Sequence, residues 1–352
     1  MNRRRTAGIW IGLVLVLSLA GLAFGAEVIV DTAYVAKQKD KAGVVLLDAR
    51  AEGAYTQGHI PGAVTLGGKG AAVLLRDVDA RVLPVKTLEK ILGEAGISRD
   101  MEIIVYGAKG DTGMTVPFWI LEYLGAEKVR AYWGGMDDWK AAKQPVATEE
   151  RKLPAAKFVA KVREDRYAST EYVKTNLKSA NVQIVDSRTP KEFSGDDIRA
   201  LRGGHIPRAI LIPFEQNWAD PEAAKKLAQR VVTGRDGMAL KDEKALREMY
   251  KGLDPKKDVV AYCQTGTRST LTYVVLRSLG FEKIRNYDDS WIVWGSRLDL
   301  PVENASYYDF VKVNAALRRI DDLERQVDEL TRKRCSRDGG AAAPHLPDAR
   351  GR

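Results

Sequence analysis

An internal repeat is the feature of this chain that most constrains its fold. The stretch VVLLDARAEGAYTQGHIPGAV at residues 44–64 returns as VQIVDSRTPKEF…GGHIPRAI at 182–210. A second stretch, from IIVYGAKG to WKAAKQPV at 103–146, returns as VVAYCQTG to WGSRLDLPV at 259–302. Self-similarity over blocks of this length indicates that one structural unit occurs twice in tandem.

Each copy alternates short strand-like runs with helical patterns. The predicted strands are 44–47, 102–106, 182–185 and 259–262, and the predicted helical windows are 88–92, 245–250 and 271–279. Continuous apolar strands between helices are typical of a parallel sheet covered on both faces. We therefore expect an α/β protein with two tandem domains, each a mainly parallel sheet with helices on both faces, plus a C-terminal helix.

The repeat also sets the expected domain boundaries. They are a signal peptide at 1–26, a first domain at 27–146, a polar, lysine-rich linker at 147–165, a second domain at 166–304, a C-terminal helix at 305–334 and a disordered tail at 335–352. Two domains of this size are what 352 residues can support.

The two ends of the chain carry most of its excess charge. Of the net charge of +9, three positive charges lie before residue 26 and four after residue 330, which argues against a nucleic-acid-binding face on the body. The first end places basic residues before an apolar stretch at 7–22 and small residues at 23 and 25, positions −3 and −1 of a cleavage site, which is the order of an export signal. We expect an exported, periplasmic protein. An N-terminal membrane anchor that is not cleaved is the alternative.

The C-terminal segment carries apolar residues at heptad spacing. These are Val313, Ile320 and Val327, alternating with Ala316, Leu323 and Leu330. The pattern permits a homo-oligomer through a short coiled coil, and a helix packed on its own domain is the alternative. Cys335 lies just beyond and would link two chains in an oxidising compartment.

Cys263 is the only cysteine inside the repeated region. It follows an apolar strand and opens the loop CQTGTR, after which a helix is expected to begin near 269–270. Inward backbone N–H groups and the positive end of the helix dipole stabilise a thiolate at such a position. Gly266 permits a left-handed turn, and Arg268 adds a fixed charge for an anionic substrate. Cys263 is therefore the candidate nucleophile.

Taken together, the repeat, the two GHIP motifs, the D-x-R strands, the CQTGTR loop and the closing YDDSW…WG at 287–295 resemble the two-domain rhodanese family of thiosulfate sulfurtransferases. The resemblance implies that Cys263 takes a sulfane sulfur from a donor, becomes a persulfide and passes the sulfur to a thiophilic acceptor such as cyanide or a thiol. It further implies a persulfide cradle and a binding site for the donor's anionic end. The cradle residues are Gln264, Thr265, Gly266 and Thr267, and the anion-binding residues are Arg268 and Arg188.

The choice of reaction leaves alternatives open. Thiosulfate is the expected donor because a polar loop with Arg268 suits a small dianion, whereas the mercaptopyruvate enzymes of the family carry a Cys-Gly-Ser-Gly type of loop. 3-Mercaptopyruvate sulfurtransfer or a non-enzymatic sulfur carrier is the alternative. Phosphatase chemistry is less favoured because it uses C-x5-R loops, while this loop is C-x4-R. The expected partners are a small anionic donor and a thiophilic acceptor, with no cofactor, no metal and no nucleic acid.

The first copy departs from the second at the nucleophile. Gly107 stands at the position of Cys263, and Ala-Lys-Gly-Asp follows instead of Gln-Thr-Gly-Thr. Without a thiol the first domain cannot form a persulfide, so we expect it to be structural. His and Asp residues that occur in both copies, including the copy without a nucleophile, are expected to serve the fold. The tryptophans are expected to form core or cleft wall. The residues concerned are His59, His205, Asp48, Asp186, Trp291 and Trp294.

Overall fold

The structure is a computed structural model, and it describes residues 28–223, 225–226 and 238–337. The predicted signal peptide lies outside these residues, as do residues 338–352 of the predicted tail and the side chain of Cys335. No helix within the described ranges is both long enough and apolar enough to cross a lipid bilayer.

A four-stranded sheet forms the first repeat. Its strands are β1 (Val44–Asp48), β2 (Ala63–Thr65), β3 (Glu102–Tyr106) and β4 (Lys128–Tyr132). They are all parallel, in the order β2-β1-β3-β4. The helices of this repeat are α1 (Thr32–Gln38), α2 (Glu52–Gln57), α3 (Ala71–Leu74), α4 (Val85–Glu94), α5 (Thr115–Tyr123) and α6 (Gly135–Ala141). Four consecutive residues are buried in both β1 and β3, as expected for strands covered on both faces.

A five-stranded parallel sheet forms the second repeat. Its strands are β5 (Tyr167–Ala168), β6 (Val182–Asp186), β8 (Ile210–Leu211), β9 (Asp258–Tyr262) and β10 (Ile284–Tyr287). Their order is β5-β10-β9-β6-β8. A separate antiparallel pair joins β7 (Gly203–His205) to β11 (Glu303–Ser306). The helices are α7 (Thr170–Asn176), α8 (Pro190–Ser194), α9 (Glu243–Met249), α10 (Arg268–Ser278), α11 (Ser290–Trp294) and α12 (Phe310–Arg337).

The predicted fold class is confirmed, and the predicted strands and the three helical windows lie within three residues of the observed elements. The C-terminal helix begins at Phe310 instead of residue 305, and it continues to Arg337, into the first residues of the predicted tail. The window 88–92 lies inside α4, where Leu88 and Leu92 are buried at a spacing of four. The window 271–279 corresponds to α10, which is followed by Gly280 at φ +92°. Glycine is favoured there because the residue after a helix end commonly adopts this left-handed conformation.

The two domains meet along α5 and α10. Seven of the nine residues of α5 and eight of the eleven of α10 are buried, so both helices are covered on nearly all sides. Their N-terminal ends are joined by a hydrogen bond between the Thr115 and Thr270 hydroxyls (2.7 Å). Further along, Glu122 accepts hydrogen bonds from Tyr273 and Arg277. The interface is therefore a continuous core that ends in a buried polar contact.

The connection between the domains follows the surface of the first. Residues 148–163 form no helix or strand. Ala156 N–H donates to the Gly93 carbonyl (2.8 Å), and Lys161 N–H donates to that of Leu124 (2.9 Å). These bonds hold the connecting segment against α4 and α5.

The C-terminal helix projects away from both domains. Val313 is half-buried, and every other residue from Phe310 to Arg334 is exposed. The alternative in which this helix packs on its own domain is therefore wrong.

Candidate active site

Cys263 lies at the carboxyl end of β9, the central strand of the second sheet. Its exposed fraction is 1%. Its N–H donates to the Ser290 hydroxyl (3.2 Å), and its carbonyl accepts the Trp291 N–H (3.0 Å). The helix α10 begins at Arg268, one residue before the predicted start. The side chain thus stands at the edge of a parallel sheet where ligands bind in this class of fold.

The surroundings of Cys263 favour its thiolate. Burial alone raises the pKa of the thiol, but the positive charge of Arg268 and the N–H groups of Ser269 and Thr265 outweigh it, so the pKa lies below its ordinary value. The Ser269 hydroxyl oxygen is 3.7 Å from the Cys263 Sγ and also donates to Asn286 Oδ1 at 2.6 Å. A lowered pKa places more of the reactive thiolate at neutral pH.

Gly266 closes the loop around the thiol. Its φ is +72°, as the sequence predicted, and a Cβ there would lie 2.7 Å from Asp288 Oδ1 and 2.8 Å from the Asp288 carbonyl oxygen. A side chain at this position is excluded by both the backbone conformation and the contact.

Arg268 is paired with a buried carboxylate. Its two terminal nitrogens donate to the two carboxylate oxygens of Glu192 at 2.7 Å each, and the Glu192 side chain is 1% exposed. Burial opposes ionisation, but the hydrogen bonds and charge of Arg268 lower the pKa of Glu192 to about 2. The cation nearest the thiol is therefore held in place by a bidentate ion pair.

Arg199 contacts the same carboxylate from the solvent side. Its Nη1 is 3.2 Å from Glu192 Oε1, and its side chain is 49% exposed. The backbone of Arg199 is tied to the nucleophile loop, because Gln264 Nε2 donates to its carbonyl at 2.6 Å. Two guanidinium groups thus share one carboxylate, and the side chain of Arg199 is the more open to solvent, at 49% exposed against 17% for Arg268.

Arg188 does not lie where the resemblance implies. It is fully buried; its Nε and Nη2 donate to Asp186, and Nη2 also donates to the Gly204 carbonyl at 2.8 Å. Arg50 makes the same set of bonds with Asp48 and Gly58 in the domain that has no thiol. The geometry corrects the interpretation of Arg188 as an anion-binding residue: its guanidinium ties the end of β6 to the GHIP segment.

Arg76, a residue of the first domain, forms hydrogen bonds with the nucleophile loop. Arg76 donates to the carbonyl oxygens of Thr265 (3.2 Å) and Gly266 (3.1 Å) and to the Thr267 hydroxyl (2.9 Å). It also forms a buried ion pair with Asp288 at 2.7 Å. Because a peptide unit directs its N–H opposite to its C=O, the two carbonyls held by Arg76 also fix the direction of the Gly266 and Thr267 N–H groups.

The equivalent loop of the first domain is packed against the second. A Cβ on Gly110 would lie 2.5 Å from Met238 Cβ, and Trp133 Nε1 donates to the Met238 carbonyl at 2.8 Å. The Lys109 ammonium is 2.8 Å from Asp138. This loop therefore forms part of the interface between the domains.

Residues common to both domains serve the fold. The Nδ1 atoms of His59 and His205 bond the carbonyls of Tyr55 (2.9 Å) and Phe193 (2.8 Å), and each imidazole stacks on that aromatic ring. Trp291 and Trp294, the tryptophans predicted to form core or cleft wall, are fully buried.

The sequence analysis missed four residues of this site. Glu192 is the third residue of α8 in a capping box with Thr189, a local motif that gives no hint of Arg268. Ser269 lies one position beyond the predicted anion-binding loop. Arg76 and Arg199 come from stretches outside the repeated motifs, so nothing in the sequence pattern marks them.

Comparisons with known proteins agree with this geometry. The family model described as Rhodanese-like domain matches residues 31–142 and 169–297. The chain is 30% identical over 261 residues to the thiosulfate sulfurtransferase of Azotobacter vinelandii, covering 74% of this chain and 91% of that protein. It is 31% identical over 290 residues to the thiosulfate sulfurtransferase of Corynebacterium glutamicum, covering 79% and 90%.

Solved structures share the fold at lower identity. SseA from Escherichia coli, described as a 3-mercaptopyruvate sulfotransferase, superposes with a TM-score of 0.60 at 23% identity over 76% of this chain and 99% of its own. The EanB variant Y353A, solved with ergothioneine, gives 0.68 at 20% identity over 81% and 72%. With two matches to the domain model covering more than half of its length, the chain belongs to the rhodanese family.

Proposed function

We propose that this protein is a thiosulfate sulfurtransferase that works through a persulfide on Cys263. The observation that carries the proposal is the buried thiol with a lowered pKa, held between the N–H groups of Thr265 and Ser269 and the charge of Arg268. Two relatives that match most of the chain bear the same name. Both half-reactions of sulfur transfer can be described with the thiol, the loop N–H groups and Arg268.

The first half-reaction loads sulfur onto the enzyme. The Cys263 thiolate attacks the outer sulfur of thiosulfate, a new S–S bond forms, and the donor's S–S bond breaks with its electron pair leaving on sulfite. The product is a persulfide anion on Cys263. Its terminal sulfur is a monovalent anion, so the loop N–H groups and the N-terminus of α10 stabilise it as they stabilise the thiolate.

The second half-reaction regenerates the thiolate. A nucleophilic acceptor, cyanide or a thiolate, attacks the terminal sulfur of the persulfide and leaves as thiocyanate or as a new persulfide. The S–S bond breaks with its electron pair returning to Cys263. No proton or external electron is required once the thiol is ionised, which is why the groups that lower its pKa are central to the mechanism.

Arg199 is the residue that we propose for donor recognition. A thiosulfate dianion approaching from solvent meets its half-exposed guanidinium, whereas the Arg268 guanidinium is less exposed and is already bound by both carboxylate oxygens of Glu192. Charge-assisted hydrogen bonds from a guanidinium to a sulfonate-like group have the same geometry as those to a carboxylate or phosphate. The role that the resemblance gives to Arg188 passes to Arg199.

A loading experiment tests the reaction. Protein incubated with thiosulfate and no acceptor is expected to gain the mass of one sulfur atom on the peptide that contains Cys263, and cyanide is expected to remove it as thiocyanate. Cys263→Ser is the control, because it keeps the side-chain shape without a persulfide-forming atom. Parallel incubation with 3-mercaptopyruvate distinguishes the alternative donor. Loading without release to any thiophile would indicate a carrier, and no loading together with hydrolysis of a phosphate ester would overturn the proposal.

The compartment is part of the same proposal. An N-terminal basic, apolar and small-residue order at 1–25 supports export to the periplasm. Sequencing the N-terminus of the mature protein from fractionated cells tests this. A start near Ala26 supports it, while an intact Met1 on membrane-bound protein supports the anchored alternative, and an intact Met1 on soluble cytoplasmic protein contradicts both.

A further inference from the structure

The helix α12 exposes a continuous apolar stripe. Phe310–Arg337 is 28 residues long, and the exposed fractions of its apolar side chains are 50% for Ile320, 48% for Leu323, 60% for Val327 and 66% for Leu330. A helix with these residues on one side obtains most of its stability from packing that side against something. Neither domain of the chain supplies that contact.

The identities of the apolar residues specify what fits. With Val313 at position a of a heptad, the a positions are Val313, Ile320 and Val327, and the d positions are Ala316, Leu323 and Leu330. β-Branched residues at a with leucine at d favour a parallel two-stranded coiled coil over trimers and tetramers. We infer that α12 pairs with α12 of a second copy of this chain, in parallel and in register.

The charges of α12 point to the same partner. Three of its basic residues pair within the same segment, with Asp309, Asp322 and Glu329 as their acidic partners. Arg319 at position g and Glu324 at position e have no ionic partner among the residues that the structure describes. In a parallel dimer, position g of one helix faces the following e position of the other. Arg319 of each chain therefore meets Glu324 of its partner, twice per dimer.

The antiparallel arrangement lacks this complementarity. Aligning the same apolar layers head to tail places Ile320 opposite Leu323 and brings two g positions together. Lys312 then lies opposite Lys333 of the partner, and Arg319 lies opposite Gln326. Like charges across the seam disfavour this pairing. The parallel register pairs Arg319 with Glu324, neither of which has an ionic partner among the described residues of a single chain.

Sedimentation equilibrium of the purified protein at ionic strengths from about 0.05 to 0.5 M tests the inference. We expect twice the chain mass at micromolar concentration, with Ile320→Glu raising the dissociation constant at least a hundredfold. Asn314→Glu adds the same charge at an outward b position and is expected to leave the dimer unchanged. Sulfur transfer and far-ultraviolet circular dichroism report whether each variant is folded. A monomer at about 100 μM, or a dimer that Ile320→Glu does not weaken, overturns the inference.

Two further variants test the orientation. Arg319→Glu is expected to weaken the dimer and Arg319→Glu/Glu324→Arg to restore it, because the swapped pair faces the partner only in the parallel register. In a Cys335→Ser background, Ile320→Cys is expected to form a disulfide between chains on mild oxidation. A dimer that fails both tests is not a parallel coiled coil.

Discussion

Arg76 of the first domain and Asp288 of the second form a buried ion pair at 2.7 Å, with side-chain exposed fractions of 3% and 1%. Asp288 also accepts the Val82 N–H at 2.7 Å. The same arginine holds the carbonyls of Thr265 and Gly266, on either side of the turn that follows the nucleophile. The domain without a thiol therefore supports the active site of the other by holding the backbone of its nucleophile loop.

Removing this contact is expected to affect both stability and rate. Arg76→Ala leaves Asp288 buried without its partner, so we expect a loss of about 3–5 kcal/mol in unfolding free energy. We also expect a drop of about ten- to a hundredfold in kcat/KM, because the backbone of the nucleophile loop is no longer held in place around Cys263. Denaturant unfolding and cyanide-dependent thiocyanate formation measure the two.

The matched controls separate the causes. Arg81→Ala removes a half-exposed arginine 3.5 Å from Asp289, and surface pairs of this kind contribute at most about 1 kcal/mol. Arg76→Ala/Asp288→Asn removes both buried charges and is expected to recover stability but not activity. If Arg76→Ala behaves like Arg81→Ala in both assays, the supporting role of the first domain is wrong.

Much of this site follows from the sequence, and the missing part has a physical cause. The repeat locates both sheets, and the order of strand, CQTGTR loop and helix locates the thiol, since these are local or repeated patterns. Arg76 contacts Asp288 across 212 positions of sequence, and no local pattern records such a pairing. For Arg188 the motif predicted an anion-binding role, but the residue is buried and its hydrogen bonds join two segments of its own domain.

Removing one partner of the Arg268–Glu192 ion pair is expected to lower the free energy of unfolding. Arg268→Ala leaves a carboxylate that is 1% exposed with Arg199 as its remaining ion-pair partner among the described residues. We expect a loss of about 3 kcal/mol, the lower end of the range for a broken buried pair, because Arg199 remains. Unfolding of Arg268→Ala/Glu192→Gln at pH 7 is expected to be nearer wild type. Equal stability of the single and double variants would show that the Glu192 carboxylate carries no penalty once Arg268 is removed.

Arg199 is expected to act on donor binding and not on the chemical step. Arg199→Ala removes a half-exposed cation, so we predict an increase in KM for thiosulfate of about tenfold or more, corresponding to about 1.5–3 kcal/mol for a charge-assisted contact, with little change in kcat. Arg208→Ala is the comparison, because Arg208 bonds only the Leu177 and Ser179 carbonyls, away from the site. If the KM of Arg199→Ala for thiosulfate equals that of the wild type, another residue binds the donor.

The pH dependence of sulfur loading reports the charge that acts on Cys263. Burial raises the pKa of the thiol, but Arg268 and the loop N–H groups lower it by more. The thiolate is the nucleophile, so the single-turnover rate of persulfide formation is expected to rise with pH to a plateau. The midpoint of that rise is expected to lie below the ordinary pKa of a cysteine thiol.

Because Arg268 supplies the largest lowering effect on the thiol pKa, the folded double variant Arg268→Ala/Glu192→Gln is expected to shift this midpoint upward. Its loading rate should fall about ten- to a hundredfold at pH 7 and recover part of that loss on the alkaline plateau. Arg199→Ala is expected to shift the midpoint much less, since Arg199 is not among the groups with the largest effects on the pKa of the thiol. A midpoint that stays fixed when Arg268 is removed would mean that the loop N–H groups alone stabilise the thiolate, and that Arg268 acts only through its pairing with Glu192.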